Sequence, residues 1–334
     1  MQVKTKITII SLSIAILGLL SALVHLNKPS LFLAVFLNSF YCLRLSLFHS
    51  PAFQIFINST ETISYSIDTL NVFVFLLLLI GILLYWVSKG KETRLIRFVI
   101  SIVLLSSIVN LVYSIFIIFY YGRYNYWYLF LFFGTAVKSV FIYFSFYILK
   151  HFQTEKKLVQ GYDASQKEFK YSENEASNWQ RLIHLLLDTF VCMSILSFTA
   201  LDVFKGLLTN VNLVAGEKAA FFVFYLIISL IYYLFFEYFF GATPAKMLTE
   251  LRVVNEKGEK PNVKSIVIRS LSRRIPFDSI SFFSAQGWHD RLSETKVIQE
   301  KRTGIKGIHY VILLTALILM FAVFLMRQNS SFFF

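Results

Sequence analysis

The sequence predicts an all-α integral membrane protein with about seven transmembrane helices, an amphipathic inner-surface helix and a small cytoplasmic β-hairpin. Of its 334 residues, 57% are apolar and 15% are charged, whereas about 25% of residues are charged in an average soluble domain. A disordered chain is excluded by this hydrophobicity, and a disulfide scaffold by the presence of only two cysteines. A soluble globule is disfavoured because too few polar residues remain to cover its surface.

The transmembrane helices are predicted where about 20 apolar residues follow one another, the length that a bilayer core requires. The predicted spans are residues 7–26, 69–87, 96–120, 127–149, 182–201, 220–240 and 308–326. The first run exceeds the apolar region of a signal peptide, about 7–15 residues, so we expect a retained anchor. Residues 31–57 are apolar but interrupted by polar side chains, and we interpret them as an interfacial or partly inserted segment.

The distribution of basic residues predicts the orientation of these spans. With the N-terminus inside, the predicted inner segments contain 25 Lys and Arg and the outer segments contain 6. Cytoplasmic segments carry this excess of basic residues in membrane proteins. We therefore expect a cytoplasmic N-terminus, an outside C-terminus and anionic lipid head groups as partners at the inner face. Because the basic residues flank apolar runs, nucleic acid is not an expected partner.

The alternation of apolar and polar stretches predicts four parts. They are a four-span bundle (1–150), a polar cytoplasmic linker (151–180), a domain of two spans plus a surface helix (181–300) and a final span (301–334).

The surface helix is predicted over residues 266–286, which contain three arginines, a proline and an aspartate and no stretch long and apolar enough to cross a bilayer. Arg269 and Arg273 are four residues apart and share one face of such a helix. Attraction to anionic lipid explains them. Pairing of an arginine with Asp188 or Asp290 explains them equally well.

The segment between the sixth span and this helix has its own local signals. Thr243 suits the N-cap of a short helix and Pro244 suits its first position. The alternative function of this helix start is anion binding helped by Lys246. The runs LRVV (251–254) and TKVI (295–298) are β-like and predict a small two-stranded sheet.

Three stretches in this half of the chain resemble one family. They are RLIHLLLD (181–188), EYFFGATPAKMLTELRVVNEKGE (237–259) and RSLSRRIPF with GWHDRLSETKVI (within 269–298). In this order they resemble the RDD family of bacterial membrane proteins. The matching positions are Arg181, Asp188, Gly241, Thr243, Pro244, Lys246, Arg252, Arg269, Arg273, His289 and Asp290. Ala245 stands where the family usually has glycine.

The resemblance covers about residues 175–300 and does not extend to residues 1–150. It implies a multi-pass protein of the bacterial cytoplasmic (inner) membrane. Transport, including cation/proton exchange, has been suggested for such proteins, so the resemblance implies a transport function by analogy.

A polar stripe is predicted on the fifth span. Arg181 and Asp188 are seven residues apart and lie on one helical face, and His184 lies between them on the same stripe. A charged aspartate inside a span costs about 2.5–3.5 kcal/mol. We therefore expect Asp188 to be paired, neutralised or next to water.

The next span supplies partners at matched depth. If the two spans form an antiparallel hairpin centred near residues 210–211, Asp188 is level with Tyr232 and Tyr233, and His184 with Glu237. These residues and Arg181 then form one polar cluster. It is either a proton or cation site in which Asp188 titrates or an ion-paired lock that holds the helices together.

Lys138 is a second charged residue inside a predicted span. The same mirror argument places it opposite Asn110, so a Lys–Asn hydrogen bond and a role in ion conduction are both open.

Catalytic and metal chemistry are not expected. His289 and Asp290 are adjacent, but no serine elbow such as G-x-S-x-G accompanies them. The six histidines show no metal-ligand spacing, so we expect no enzyme activity, no metal and no cofactor.

Two functions remain open. One is transport of a small cation or of protons. The other is a non-transporting membrane scaffold or assembly partner, motivated by the extra bundle and by the absence of the broken helices and inverted repeats typical of transporters.

Overall fold

The computed structural model describes residues 3–26, 60–121, 128–154, 176, 178–256, 258–273, 287–299 and 309–310. This part of the chain is mostly helical. Its helices are α1 (Val3–Leu26), α2 (Thr60–Val87), α3 (Arg94–Tyr121), α4 (Tyr128–Thr154), α5 (Asn178–Ala215), α6 (Glu217–Phe240), α7 (Pro244–Leu248), α8 (Val263–Ser272) and α9 (Trp288–Leu292). Its strands are β1 (Leu251–Asn255) and β2 (Thr295–Gln299).

The chain divides into two compact units. The first comprises Met1–Leu149, Met193–Leu207 and His309–Phe334, and the second comprises Lys150–Cys192 and Leu208–Ile308. The four-part division predicted from the sequence stays a prediction.

Four helices of the described residues are long and apolar enough to cross a membrane. They are Val3–Val24, Arg94–Phe116, Phe132–Gln153 and Lys218–Phe240, and they overlap the predicted spans 7–26, 96–120, 127–149 and 220–240. The helical membrane class is thereby supported, whereas the count of seven spans stays a prediction.

The other predicted spans have different outcomes. Residues 69–87 lie in α2, of which Asn71–Val87 is an apolar segment among the described residues. Residues 182–201 lie within α5, which is not among the four candidate helices. The interrupted segment 31–57 and the span 308–326, except for residues 309–310, lie outside the described residues.

In the first unit, close backbone approaches set the helix packing. A Cβ atom on Gly18 of α1 would lie 2.1 Å from the ring of Phe75 on α2, so the ring fills the space that a side chain would need. Gly81 of α2 similarly packs against Leu95 of α3, whose Cβ would be 2.9 Å from an added Cβ. Glycine at both positions lets bulky apolar neighbours pack directly on the helix backbone.

In the second unit, β1 and β2 pair antiparallel, with Val253 opposite Val297 and Arg252 opposite Ile298. This register confirms the predicted pairing of LRVV with TKVI. Val253 and Val297 are both buried. The sheet therefore contributes apolar side chains to the core of this unit.

The helix predicted over 266–286 is described only in part. The structure has α8 at Val263–Ser272, and its N-cap residue Asn262 accepts a hydrogen bond from the Ser265 N–H (2.7 Å). Residues 274–286 lie outside the described residues. Arg269 on α8 is fully buried, whereas attraction of this helix to anionic lipid stays a prediction.

Gly241 ends α6 in the left-handed conformation, with φ 67°. Its N–H donates to the Glu237 carbonyl (3.1 Å), and its carbonyl accepts from the Val253 N–H (2.9 Å). This glycine therefore joins the end of α6 to β1.

Gly241→Ala is expected to lower the free energy of unfolding by about 1–2 kcal/mol, because a side chain is disfavoured at positive φ. The added Cβ would also lie 3.0 Å from the Arg252 Nε. Gly241→Asn is the matched control, since asparagine adds the same Cβ but adopts the left-handed conformation more readily than alanine. Chemical denaturation in detergent should show the smaller loss for Gly241→Asn; equal losses would contradict the role of the backbone conformation.

Candidate functional site

Asp188 of α5 is buried, with 1% of its surface exposed. Its Oδ1 accepts from the Tyr232 hydroxyl (2.8 Å) and from the Ala245 backbone N–H (3.2 Å). Its Oδ2 accepts from the Thr243 hydroxyl (2.6 Å). All three donors are neutral, and within the described part of the chain no Lys, Arg or His nitrogen lies within 4.0 Å of this carboxylate.

Asp188 also caps a helix that is remote in sequence. Thr243 and Pro244 occupy the predicted N-cap and first positions of α7. The Thr243 hydroxyl makes no cap bond within α7 and donates to Asp188 instead. The Asp188 carboxylate accepts a hydrogen bond from the N–H of Ala245, the second residue of α7. An anion does lie at this helix start, as the alternative interpretation required, but it is a side chain of the chain itself.

Glu237 near the end of α6 is the second buried carboxylate, with a fully buried side chain. Lys246 Nζ lies 2.5 Å and Arg273 Nη2 3.0 Å from its Oε1. Arg269 Nε lies 3.2 Å from its Oε2. Three cations from α7, α8 and the residue that follows α8 therefore surround one carboxylate.

The surroundings of Glu237 also perturb its partners. Burial lowers the pKa of Lys246 to about 8, although the Glu237 carboxylate opposes this shift. The Arg273 guanidinium lies over the Tyr233 ring, 4.2 Å from its centroid, a distance typical of a cation–π interaction. Burial works against the charge of Arg273, but Glu237 and neighbouring groups raise its pKa above the usual value.

Asp290 of α9 is the third buried carboxylate. It accepts from Arg181 Nη1 (2.8 Å) and makes a very short contact with Arg269 Nη1. His289 Nε2 lies 3.7 Å from the same carboxylate. Burial alone would raise the pKa of Asp290, but Arg269, followed by His289 and Arg181, holds it at about 2.

Arg269 links the ion pairs of Glu237 to those of Asp290. Its guanidinium contacts both carboxylates and also donates to the Thr295 hydroxyl (2.6 Å), at the start of β2. The sequence alternative in which an arginine of the surface helix pairs with Asp290 is therefore what the structure shows.

His184 lies apart from these ion pairs. It is 4% exposed, and its Nε2 lies 2.5 Å from the Thr249 hydroxyl. The helical stripe of Arg181, His184 and Asp188 thus reaches three different partners, since Arg181 contacts Asp290 and Asp188 contacts Tyr232. The hydrogen bond between Asp188 and Tyr232 confirms that these two residues lie at matched depth. The predicted single cluster is instead divided: Glu237 and Asp290 are ion-paired, and Asp188 is bound by neutral donors.

The remaining predicted residues have distinct places. Gly241 and Arg252 meet at the end of α6, where an added Cβ on the glycine would contact the arginine. The sequence does not predict the contributions of Thr249, Thr295 and the Ala245 N–H. No local pattern identifies them, because each contacts a residue at least 26 positions away.

Lys138 belongs to the first unit. Its ammonium donates to the Ser114 hydroxyl (2.7 Å), and that hydroxyl donates to the Asn110 carbonyl (2.7 Å). The Ser114 hydroxyl thus links Lys138 to Asn110, the residue predicted to lie opposite it. The neutral hydroxyl oxygen of Ser114 accepts a hydrogen bond from the Lys138 ammonium, as expected if this lysine has a hydrogen-bonding role.

Comparison with known proteins supports the resemblance found in the sequence. Residues 175–333 match the model of the RDD family. This match confirms the predicted resemblance, and it includes Arg181, Asp188, Glu237, Arg269 and Asp290. No curated protein and no solved structure matches the chain.

The low pKa of Asp290 predicts a loss of stability in acid. Its carboxyl titrates near 4 in an unfolded chain and at about 2 in the fold. The unfolded state therefore binds more protons between these values, and on the order of 2 kcal/mol of stability should be lost as the pH falls through that range.

Denaturant unfolding at pH 5, 4, 3 and 2 tests this dependence. Asp290→Asn should remove this part of the slope, whereas the exposed control Glu256→Gln should retain it. An unchanged slope in Asp290→Asn would contradict the contribution of the Arg269 and Arg181 ion pairs.

Proposed function

We propose that this RDD-type protein resides in the cytoplasmic membrane of a bacterium with its N-terminus inside, and that it transports a proton or a small cation by way of Asp188. One observation carries the proposal: Asp188 is a buried carboxylate on a predicted span whose described hydrogen-bond donors are all neutral. Two other buried carboxylates of the second unit, Glu237 and Asp290, are surrounded by cations. Ionisable residues inside transmembrane segments are typical of ion and proton pathways.

The donors around Asp188 suit a group that changes its charge. Hydroxyl groups donate or accept by rotating the hydrogen. When Asp188 is ionised, Tyr232 and Thr243 both donate to it. When it takes a proton, the Thr243 hydroxyl can turn and accept from the new O–H.

The ion pairs of Glu237 and Asp290 have a different task in this proposal. They fix α6, which carries Tyr232, and α7, which carries the Ala245 N–H and has Thr243 as its N-cap. They also fix α8 against these two helices. Arg181, His184 and Glu237 therefore frame the site without carrying the transported ion. Lys138, bound to Ser114 in the first unit, also has a structural role.

A membrane scaffold or assembly partner is the second candidate function. It is favoured by the burial of Asp188, which is 1% exposed, and by its cap bond to Ala245 (3.2 Å). In that case Asp188 serves only to join α5 to α7. The two functions differ in what the protein does when Asp188 loses its charge.

Asp188→Asn in proteoliposomes distinguishes these functions. The wild type is expected to change the signal of an internal pH dye under a Na⁺, Li⁺ or K⁺ gradient, and Asp188→Asn is expected to abolish that change. The variant should unfold within about 1.5 kcal/mol of the wild type, the net value of a typical hydrogen bond, because the substitution leaves no contacting cation unpaired. Glu256→Gln, which removes an exposed carboxylate, should behave as the wild type in both measurements.

Two outcomes contradict the transport proposal. Absence of a response from the wild type in every gradient would favour the scaffold. A stable Asp188→Asn variant with a wild-type response would show that the carboxylate is not the transport site.

A further inference from the structure

A cavity of about 390 Å³ lies between α1 and the end of α2 in the first unit. It is lined by residues from the first turns of α1, among them Lys4 and Thr5, and by Tyr85, Trp86 and Lys89 at the end of α2. Its volume is within the range of small-ligand pockets, about 300–1,000 Å³. Nothing in the ion pairs around Glu237 or in the Asp188 site uses these residues.

The charge at this cavity has one sign. Lys4 and Lys89 line it, and no Asp or Glu occurs in residues 3–26 or 69–91. The Lys4 ammonium donates to the Lys89 carbonyl (3.1 Å), which uses one of its three N–H donors. Both lysines are exposed. The cavity therefore offers two neighbouring cations to an anion.

The backbone holds these two lysines together. Lys89 and Gly90 both have positive φ values, 56° and 88°, so the chain turns sharply where α2 ends. The Gly90 N–H donates to the Tyr85 carbonyl (2.8 Å) and closes that turn. This turn presents the Lys89 carbonyl to Lys4 and leaves the Lys89 side chain at the mouth of the cavity.

The helix surface beside the cavity is apolar. Trp86 is 73% exposed and Leu83 is 62% exposed on α2, and Ile9 is 49% exposed on α1. Exposed aliphatic side chains at a predicted span face lipid tails, and tryptophan is typical of the membrane–water interface. The basic cavity thus lies directly next to a surface suited to acyl chains.

We propose that this cavity binds the phosphate group of an anionic phospholipid, with Lys4 and Lys89 contacting the phosphate and Trp86 lying against the glycerol region and upper acyl chain. A phosphate is the anionic part common to such head groups, and paired lysines bind it as point charges. The lipid is favoured over a soluble phosphate compound because the basic cavity and the exposed apolar surface are adjacent. This proposal is independent of ion transport by Asp188.

Native mass spectrometry of the full chain in detergent tests the site. Equimolar phosphatidylglycerol and phosphatidylcholine are added to wild type, to the double variant Lys4→Gln/Lys89→Gln, and to the matched control Lys6→Gln/Lys91→Gln. The control removes two exposed lysines from the same segments without touching the cavity lining. We expect the wild type and the control to retain one phosphatidylglycerol preferentially, and the cavity variant to retain it at least about tenfold less.

Three outcomes would overturn the proposal. Equal loss in both double variants would mean that the lysines act only through general surface charge. Equal retention of the two lipids would mean that the anionic head group is not recognised. If glycerol 3-phosphate raises the melting temperature of the lipid-free protein but no lipid is retained, the cavity binds a soluble compound instead. In contrast, displacement of phosphatidylglycerol by millimolar glycerol 3-phosphate would support phosphate recognition.

Discussion

The second unit depends on how one buried carboxylate, that of Glu237, is compensated. An isolated charge of this kind is unfavourable in a low-dielectric interior, because its hydration is lost. Three cations from different parts of the chain compensate this charge: Lys246, Arg269 and Arg273. Their positions fix the short helix α7 and the helix α8 against the end of α6. The folding of this segment is therefore specified by charge as well as by apolar packing.

Arg269 extends this pairing of charges from Glu237 to Asp290. Its guanidinium contacts Glu237 and Asp290, and Asp290 in turn contacts Arg181 on α5. Alternating charges thus connect four helices in the second unit. Ion pairs of this kind add little net stability compared with apolar packing, but loss of one partner is costly because the others stay buried. They specify one arrangement of the helices in a segment rich in aromatic side chains.

Asp188 differs from these carboxylates in the nature of its donors. Two hydroxyls and one backbone N–H satisfy it. Neighbouring cations favour the ionised form of a carboxylate, whereas a hydroxyl can either donate to a carboxylate or accept from a carboxylic acid. The second unit therefore combines ion-paired carboxylates with one carboxylate that is held by neutral donors. That difference is the physical basis of the proposed transport function.

Part of this arrangement could be predicted from the sequence. The matched depth of Asp188 and Tyr232 follows from helix geometry and from the antiparallel hairpin of two predicted spans, and the pairing of LRVV with TKVI follows from their β-like composition. The partners of Arg181 and Thr243 could not be predicted, because their contacts depend on how α7 and α9 fold back onto α5. Sequence periodicity places residues on one helix face but does not specify what packs against that face.

A double-mutant cycle between Glu237 and Lys246 tests the central claim that the Glu237 carboxylate compensates several buried cations. Glu237→Gln should reduce the free energy of unfolding in detergent by about 3–5 kcal/mol, because three cations lose their common partner. Lys246→Met should cost less, since Arg269 and Arg273 still compensate Glu237. Adding Lys246→Met to Glu237→Gln should recover at least about 1 kcal/mol relative to simple addition of the two losses. Losses that add without coupling would contradict the account.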